Sequence, residues 1–155
     1  MLVWIETTSV AQWVSLSLYA YPLLLCVHII GLAVVVGIFM MRDLRLAGFF
    51  KGLDPLAFLP LGRVAWLGFF FNALSGLALF SSQAQTFAGN AAFLIKIAFI
   101  LLGMILACVI EARLRAALQQ GSAWHDERFT RTVALCSLLT WTGAIIAGRL
   151  VAYIV

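Results

Sequence analysis

Charged residues are scarce in this chain of 155 residues. Asp, Glu, Lys and Arg make up 10% of it, whereas 65% of the residues are hydrophobic. A soluble domain is about a quarter charged and about half apolar. The mean hydropathy of +1.10 is too high for a water-soluble core, and the length suits one domain. The shortage of charge therefore excludes a soluble protein and indicates an integral membrane protein with the lipid bilayer as its partner.

The sequence also lacks the patterns typical of disulfide-rich proteins, nucleic-acid-binding proteins, common soluble enzymes and cleaved signal peptides. The three cysteines form an odd set without CxxC spacing, which predicts buried free thiols rather than a disulfide framework. No basic run suggests a nucleic-acid partner, and no Ser-His-Asp set, glycine-rich phosphate loop or HExxH motif is present. Because no basic region precedes the first apolar stretch, we expect that stretch to be retained as a span rather than cleaved as a signal peptide.

Four apolar stretches are long enough to cross a hydrocarbon core of about 30 Å. They cover residues 16–41, 57–80, 91–110 and 132–154. The predicted fold class is all-α, an integral membrane four-helix bundle that forms a single transmembrane domain over residues 1–155. The residues before the first span, with Trp4 and Trp13, form either a short interfacial helix or an extension of that span.

The connections between the spans predict the orientation in the membrane. Segment 42–54, with Gly48 and Gly52 as breakers, and segment 111–131 hold seven basic residues: Arg42, Arg45, Lys51, Arg113, Arg115, Arg128 and Arg131. The N-terminal segment, the short polar segment 81–90 and the C-terminal end hold none. The positive-inside rule then places the two basic connections in the cytoplasm and both termini in the periplasm. We expect segment 81–90 to form a tight hairpin.

Polar side chains within the spans are the candidate functional residues, because each is costly in lipid. His28 lies near the middle of the first span, and Gly31 lies one turn further along the same face. A histidine beside a glycine leaves room for a flat macrocycle whose metal the imidazole ligates. The alternative is a neutral histidine bonded to a neighbouring helix. In the second span, Asn72 belongs to a face of small residues that predicts close helix packing.

Lys96 and Arg149 are predicted to lie roughly 8 Å below the outer boundary of the membrane. No acidic residue is expected at that depth. The two cations either extend to the headgroups or converge on an anion supplied by a ligand. Since His28 should lie about 8–10 Å deeper, the spacing suits a haem whose iron binds His28 and whose propionates reach Lys96 and Arg149. A tetrapyrrole substrate or an anionic quinone fits the same spacing, but a bare metal ion does not.

Four segments of the chain resemble a family of small bacterial four-helix membrane proteins. They are His28–Gly31, Gly37–Arg45, Ser75–Phe80 and Asn90–Lys96. More distantly, these segments are similar to copper-resistance-D-like membrane proteins and to HemJ-type protoporphyrinogen oxidases. The HemJ type carries a histidine in its first span and a lysine in a later one and is associated with b-type haem. The resemblance implies such roles for His28 and Lys96, and it supports haem binding more than oxidase activity.

These observations predict a haem b-binding protein of the bacterial inner membrane, active in electron transfer or as a subunit of a larger membrane redox assembly. The predicted cofactor site is His28, Gly31, Lys96 and Arg149, with His28 on the haem iron. One alternative is a membrane oxidase of a tetrapyrrole or quinol, and another is a structural subunit without cofactor. Assembly as a homo-oligomer or in a larger complex stays open.

Overall fold

The computed structural model describes residues 2–121 and 128–153. These residues form seven α-helices, a 3-10 turn at Pro55–Ala57 and no strand. The α-helices are α1 (Val3–Glu6), α2 (Ser9–Leu16), α3 (Ala20–Leu46), α4 (Phe58–Ser82), α5 (Ala84–Gly89), α6 (Ala91–Gln119) and α7 (Arg128–Leu150). Among them, α3, α4 with its preceding turn, α6 and α7 are long and apolar enough to cross a membrane. The predicted all-α, multi-pass fold is therefore confirmed, although the predicted end of the last span, residue 154, lies outside the described residues.

Helix α3 is longer at its C-terminal end than the sequence predicts. It continues through Arg42, Asp43 and Arg45 to Leu46, where the hydropathy pattern predicts a loop. It stops at Gly48, whose φ of 107° is a conformation that glycine adopts without steric cost. There the amide of Phe49 donates to the carbonyl of Leu44 at 3.0 Å, which closes the helix end as a Schellman motif. The last charges of α3 thus lie on a helix face rather than in a loop.

The N-terminal residues form helices of their own and do not extend the first span. The hydroxyl of Thr8 accepts a hydrogen bond from the amide of Ala11 at 3.3 Å and caps α2. Ser17 is extended and separates α2 from α3. Ala11 and Val14 are buried, and α2 packs mainly against α4. Of the two sequence-based alternatives for this segment, the separate helix is the one that forms.

The four long helices pack as two pairs. Helix α3 lies along α4, α6 lies along α7, and α7 also packs against α3. By contrast, α4 and α6 make few contacts, and segment 81–90 between them contains α5. The prediction of a tight hairpin there is wrong. We call the end of the bundle where α3 stops and α4 begins the basic end, and the opposite end the terminal end.

The apolar core joins the two pairs toward the basic end. Phe39 of α3 and Trp141 of α7 are almost fully buried, with ring centroids 5.8 Å apart. Met104 of α6 belongs to the same cluster. Toward the terminal end, the only buried residues on α3 before Val35 are Ala20 and Gly31, and on α6 before Gly103 only Ala92. The pairs are therefore held together mainly in the basic half.

The prediction that the cysteines are buried is wrong. All three, Cys26, Cys108 and Cys136, are free thiols, but they are exposed on the surface of the bundle rather than buried. In a membrane protein the outer surface of the helices contacts lipid, so an apolar sequence context does not distinguish the core from the exterior.

Candidate ligand site at His28 and Lys96

The imidazole of His28 is held against α4. Its Nδ1 lies 2.9 Å from the backbone carbonyl oxygen of Asn72 and 3.3 Å from Oγ of Ser75. Because a carbonyl oxygen only accepts, Nδ1 is the donor. Within residues 2–121 and 128–153, no hydrogen bond to Nε2 is found. The neutral ring therefore carries its proton on Nδ1 and keeps a lone pair on Nε2.

The side chain of Asn72 returns a second bond across the same helix contact. Its Nδ2 donates to the backbone carbonyl of His28 at 2.7 Å. The small residues of this face allow the approach, since a Cβ on Gly76 would lie 3.0 Å from Cε1 of His28. The prediction that this face of α4 packs closely against another helix is confirmed. Together the two bonds orient the ring and limit its rotation.

Gly31 belongs to the helix contact itself. A Cβ built on it would lie 2.9 Å from the carbonyl oxygen of Gly68 and 3.0 Å from Cβ of Asn72. Any side chain here would push α3 away from α4. The space next to Gly31, where the sequence predicted room for a macrocycle, is filled by α4. Its role as a cofactor contact stays a prediction.

Lys96 of α6 is half-buried and lies along Gly148 of α7. A Cβ on Gly148 would meet Cδ of Lys96 at 3.4 Å and Nζ at 3.8 Å, so the glycine makes room for the lysine stem. The charge of Lys96 acts electrostatically on His28, which places the two side chains in one region of the bundle. No carboxylate pairs with Lys96 in the part of the chain that the structure describes. A half-buried cation without a counter-charge is suited to an anionic ligand.

Arg149 does not join Lys96. It is exposed, donates to Oη of Tyr153 at 2.9 Å, and its guanidinium carbon lies 5.2 Å from the centroid of that ring. Successive helical residues point about 100° apart, so Gly148 faces α6 while Arg149 faces outward. The predicted convergence of the two cations is therefore not what the structure shows, and Lys96 is the cation that accompanies His28.

Sequence reasoning missed a second polar cluster, which lies toward the basic end. Arg42 and Asp43 are 3% and 0% exposed, and their side chains form an ion pair at 2.8 Å. Ser137 of α7 faces the carboxylate of Asp43. The hydropathy pattern places these charges in a loop because it contains no information about the neighbouring α7.

Glu111 of α6 extends this cluster to α4. Its carboxylate accepts a hydrogen bond from Nε1 of Trp66 at 2.9 Å and is bonded by Arg115 on its own helix. Gly62 of α4 makes room for it, since a Cβ there would lie 3.6 Å from the carboxylate. The spacing of Glu111 and Arg115, four residues apart, is a sequence signal that predicts a helical ion pair. It does not reveal the bond to Trp66.

In the described residues, no group of three or more His, Cys, Asp or Glu side chains is arranged to hold a metal ion. The chain matches no family model, no curated protein and no solved structure.

Proposed function

We propose that the protein binds haem b through Nε2 of His28 and acts in electron transfer in the bacterial inner membrane, alone or as a subunit of a larger redox assembly. The observation that carries the proposal is the hydrogen bond from Nδ1 of His28 to the carbonyl of Asn72. Metal-ligating histidines usually donate their second ring nitrogen to such an acceptor, which fixes the tautomer and strengthens the ligand. A neutral, oriented imidazole with a free Nε2 fits a haem axial ligand.

The position of Lys96 also supports the proposal of haem binding. It supplies a positive charge on the opposite helix pair, and its stem is held by Gly148. Haem carries two propionates, and a half-buried lysine binds a carboxylate more strongly than an exposed one does. When bound, haem supplies a one-electron redox centre. The chain itself orients the ligand and neutralises part of its negative charge. The resemblance of His28 and Lys96 to the HemJ-type pattern points the same way.

The distribution of basic residues supports the orientation. Arg42 and Arg45 end α3, Arg113 and Arg115 lie in the last turns of α6, and Arg131 lies near the start of α7, all toward the basic end. We place this end in the cytoplasm by the positive-inside rule. The terminal end, nearer to Lys96, is then periplasmic.

A visible absorption spectrum of the purified wild-type protein and of two histidine variants tests the proposal. Wild type and His125→Ala should show a Soret band with equal haem content, whereas His28→Ala should lose it while remaining a folded helical monomer or oligomer. His125 is the other histidine of the sequence and so a matched control. A colourless but folded wild type, or unchanged haem content in His28→Ala, would refute the proposal. The colourless result would favour the structural subunit.

A second candidate is oxidation of a quinol or a tetrapyrrole at the same site. The observation favouring it is that Nε2 of His28 is free to accept a proton in the region where Lys96 places its charge. An added electron acceptor would have to take the electrons. Turnover of a quinol or porphyrinogen by haem-free protein, lost in His28→Ala but not in His125→Ala, would identify this activity. The absence of turnover with retained haem would leave electron transfer.

A further inference from the structure

Helices α4 and α6 make few contacts with each other, and the side-chain contacts described between them lie toward their two ends. Near the basic end, Trp66 of α4 bonds Glu111 of α6. Near the terminal end, the rings of Phe80 and Phe93 stack at 5.5 Å, and Phe87 of α5 joins the stack at 5.5 Å from Phe93. Between these two closures the bundle lacks the close helix contact seen within the α3–α4 and α6–α7 pairs.

Helical periodicity identifies the residues that face each other across this gap. Ala73 lies seven residues from both Trp66 and Phe80 and therefore on the face that they share, since seven residues are close to two turns. Ile100 lies seven residues after Phe93 and eleven before Glu111, close to two and three turns. Ala73 and Ile100 are therefore expected to face each other midway along the gap. Both are partly exposed, and Ile100 also packs against the apolar core.

His28 and Lys96 lie behind this gap and are partly exposed. His28 is covered on one side by α4, and Lys96 is covered on one side by α7. The described side-chain contacts between α3 and α7, such as Phe39 with Trp141, lie in the basic half. The partial exposure of His28 and Lys96 indicates that the helices enclose them less tightly at this level than they enclose Phe39 and Trp141.

We propose that the gap between α4 and α6, at Ala73 and Ile100, is a lateral entrance through which a flat, lipophilic ligand with carboxylate groups passes from the bilayer to His28 and Lys96. The inference rests on the proposed function, because the ligand is haem. The phenylalanine stack covers the terminal end of the gap, and the bond between Trp66 and Glu111 covers its basic end. The apolar middle admits the macrocycle, and the unpaired cation behind it attracts the carboxylates.

A bulky side chain at position 73 tests whether haem enters by this route. Haem-free Ala73→Trp in lipid nanodiscs should take up haem at least about tenfold more slowly than wild type, because a step that requires helix displacement lowers the association rate. The final Soret absorbance should be reached in both proteins. Leu74→Trp is the matched control, since Leu74 is 50% exposed and lies on another face of the same helix. Equal uptake rates in the two variants would overturn the entrance.

A cross-link provides the second measurement. In a background with all three native cysteines replaced by alanine, Ala73→Cys and Ile100→Cys are joined by a short, reducible bifunctional thiol reagent. Cross-linking before loading should slow haem uptake by a similar factor, and reduction should restore the rate. Cross-linking after loading should instead slow haem release. Each single-cysteine variant, treated identically, is the control.

The outcomes separate the two proposals. If the cysteines cannot be joined, the facing of Ala73 and Ile100 is wrong and the entrance with it. If they are joined and uptake is unchanged, the ligand uses another route, although haem binding stands. If no form of the protein takes up haem while all remain folded, the proposed haem binding is wrong. The proposed entrance, which depends on haem as the ligand, is then wrong as well.

Discussion

Removing the carboxylate of Asp43 should be among the most destabilising single changes in this protein. Oδ1 of Asp43 accepts from Nε of Arg42 at 2.9 Å and lies 2.8 Å from its Nη2. Both side chains are almost completely enclosed, at 4% and 0% exposure. The guanidinium of Arg42 also lies 4.8 Å from the ring centroid of Phe39, so it is packed into the core and cannot simply turn to water.

The magnitude follows from the burial. Asp43→Ala leaves Arg42 enclosed without its counter-charge, and breaking a buried pair in this way costs about 3–5 kcal/mol. Replacing both residues by leucine removes the desolvation cost together with the attraction, so Arg42→Leu/Asp43→Leu should differ from wild type by about 1 kcal/mol or less, or be more stable. The single change and the double change therefore separate the cost of an orphaned charge from the value of the pair.

Equilibrium unfolding in mixed detergent micelles, followed by circular dichroism, gives the required free energies. Arg115→Ala is the control, because it breaks the ion pair with Glu111 while the arginine side chain is 56% exposed. The carboxylate of Glu111 is 11% exposed but keeps its hydrogen bond from Trp66, so the loss should be smaller than at Asp43, about 1 kcal/mol. The reasoning would be refuted if Asp43→Ala lost no more stability than Arg115→Ala, or if the double leucine variant were as unstable as the single alanine variant.

Three further predictions address the rest of the fold. Gly31→Leu should separate α3 from α4 and lower the unfolding temperature together with any haem content, whereas a fully retained melting temperature would contradict the close contact. Hydrogen bonds from Gln85 lower the pKa of Glu6 below its ordinary value, so the contact between α1 and α5 should be present above the unfolded-state pKa and be lost as the pH falls through the lower, folded-state value. Hydrogen exchange of α1 at several pH values measures this, and Glu6→Gln should remove the pH dependence. A reporter that is active only in the periplasm should work when fused after Val155 and fail near Gln120, and the reverse result would invert the proposed orientation.

Part of this architecture follows from sequence alone. The number of membrane-spanning helices, their approximate limits and the collection of arginines toward one end are properties of local composition. They depend on how many apolar residues are needed to cross a bilayer and on where charge is tolerated. The depth of His28 along its helix is likewise a matter of counting residues. Even the contact at Asn72 was predictable, because small residues spaced four apart indicate a helix interface.

What the tertiary structure decided is which helix each face meets. The long helices are apolar on nearly every side, so hydropathy does not mark the face that packs against protein. Gly31 therefore faces α4 instead of an open space, and Arg149 bonds Tyr153 on the surface while its neighbour Gly148 holds Lys96. Arg42 and Asp43 remain helical and buried although their charge predicts a loop, because Ser137 and the core of α7 enclose them. The depth of a side chain in the membrane follows from its position along the span. The helix that it contacts depends on how the helices pack against one another.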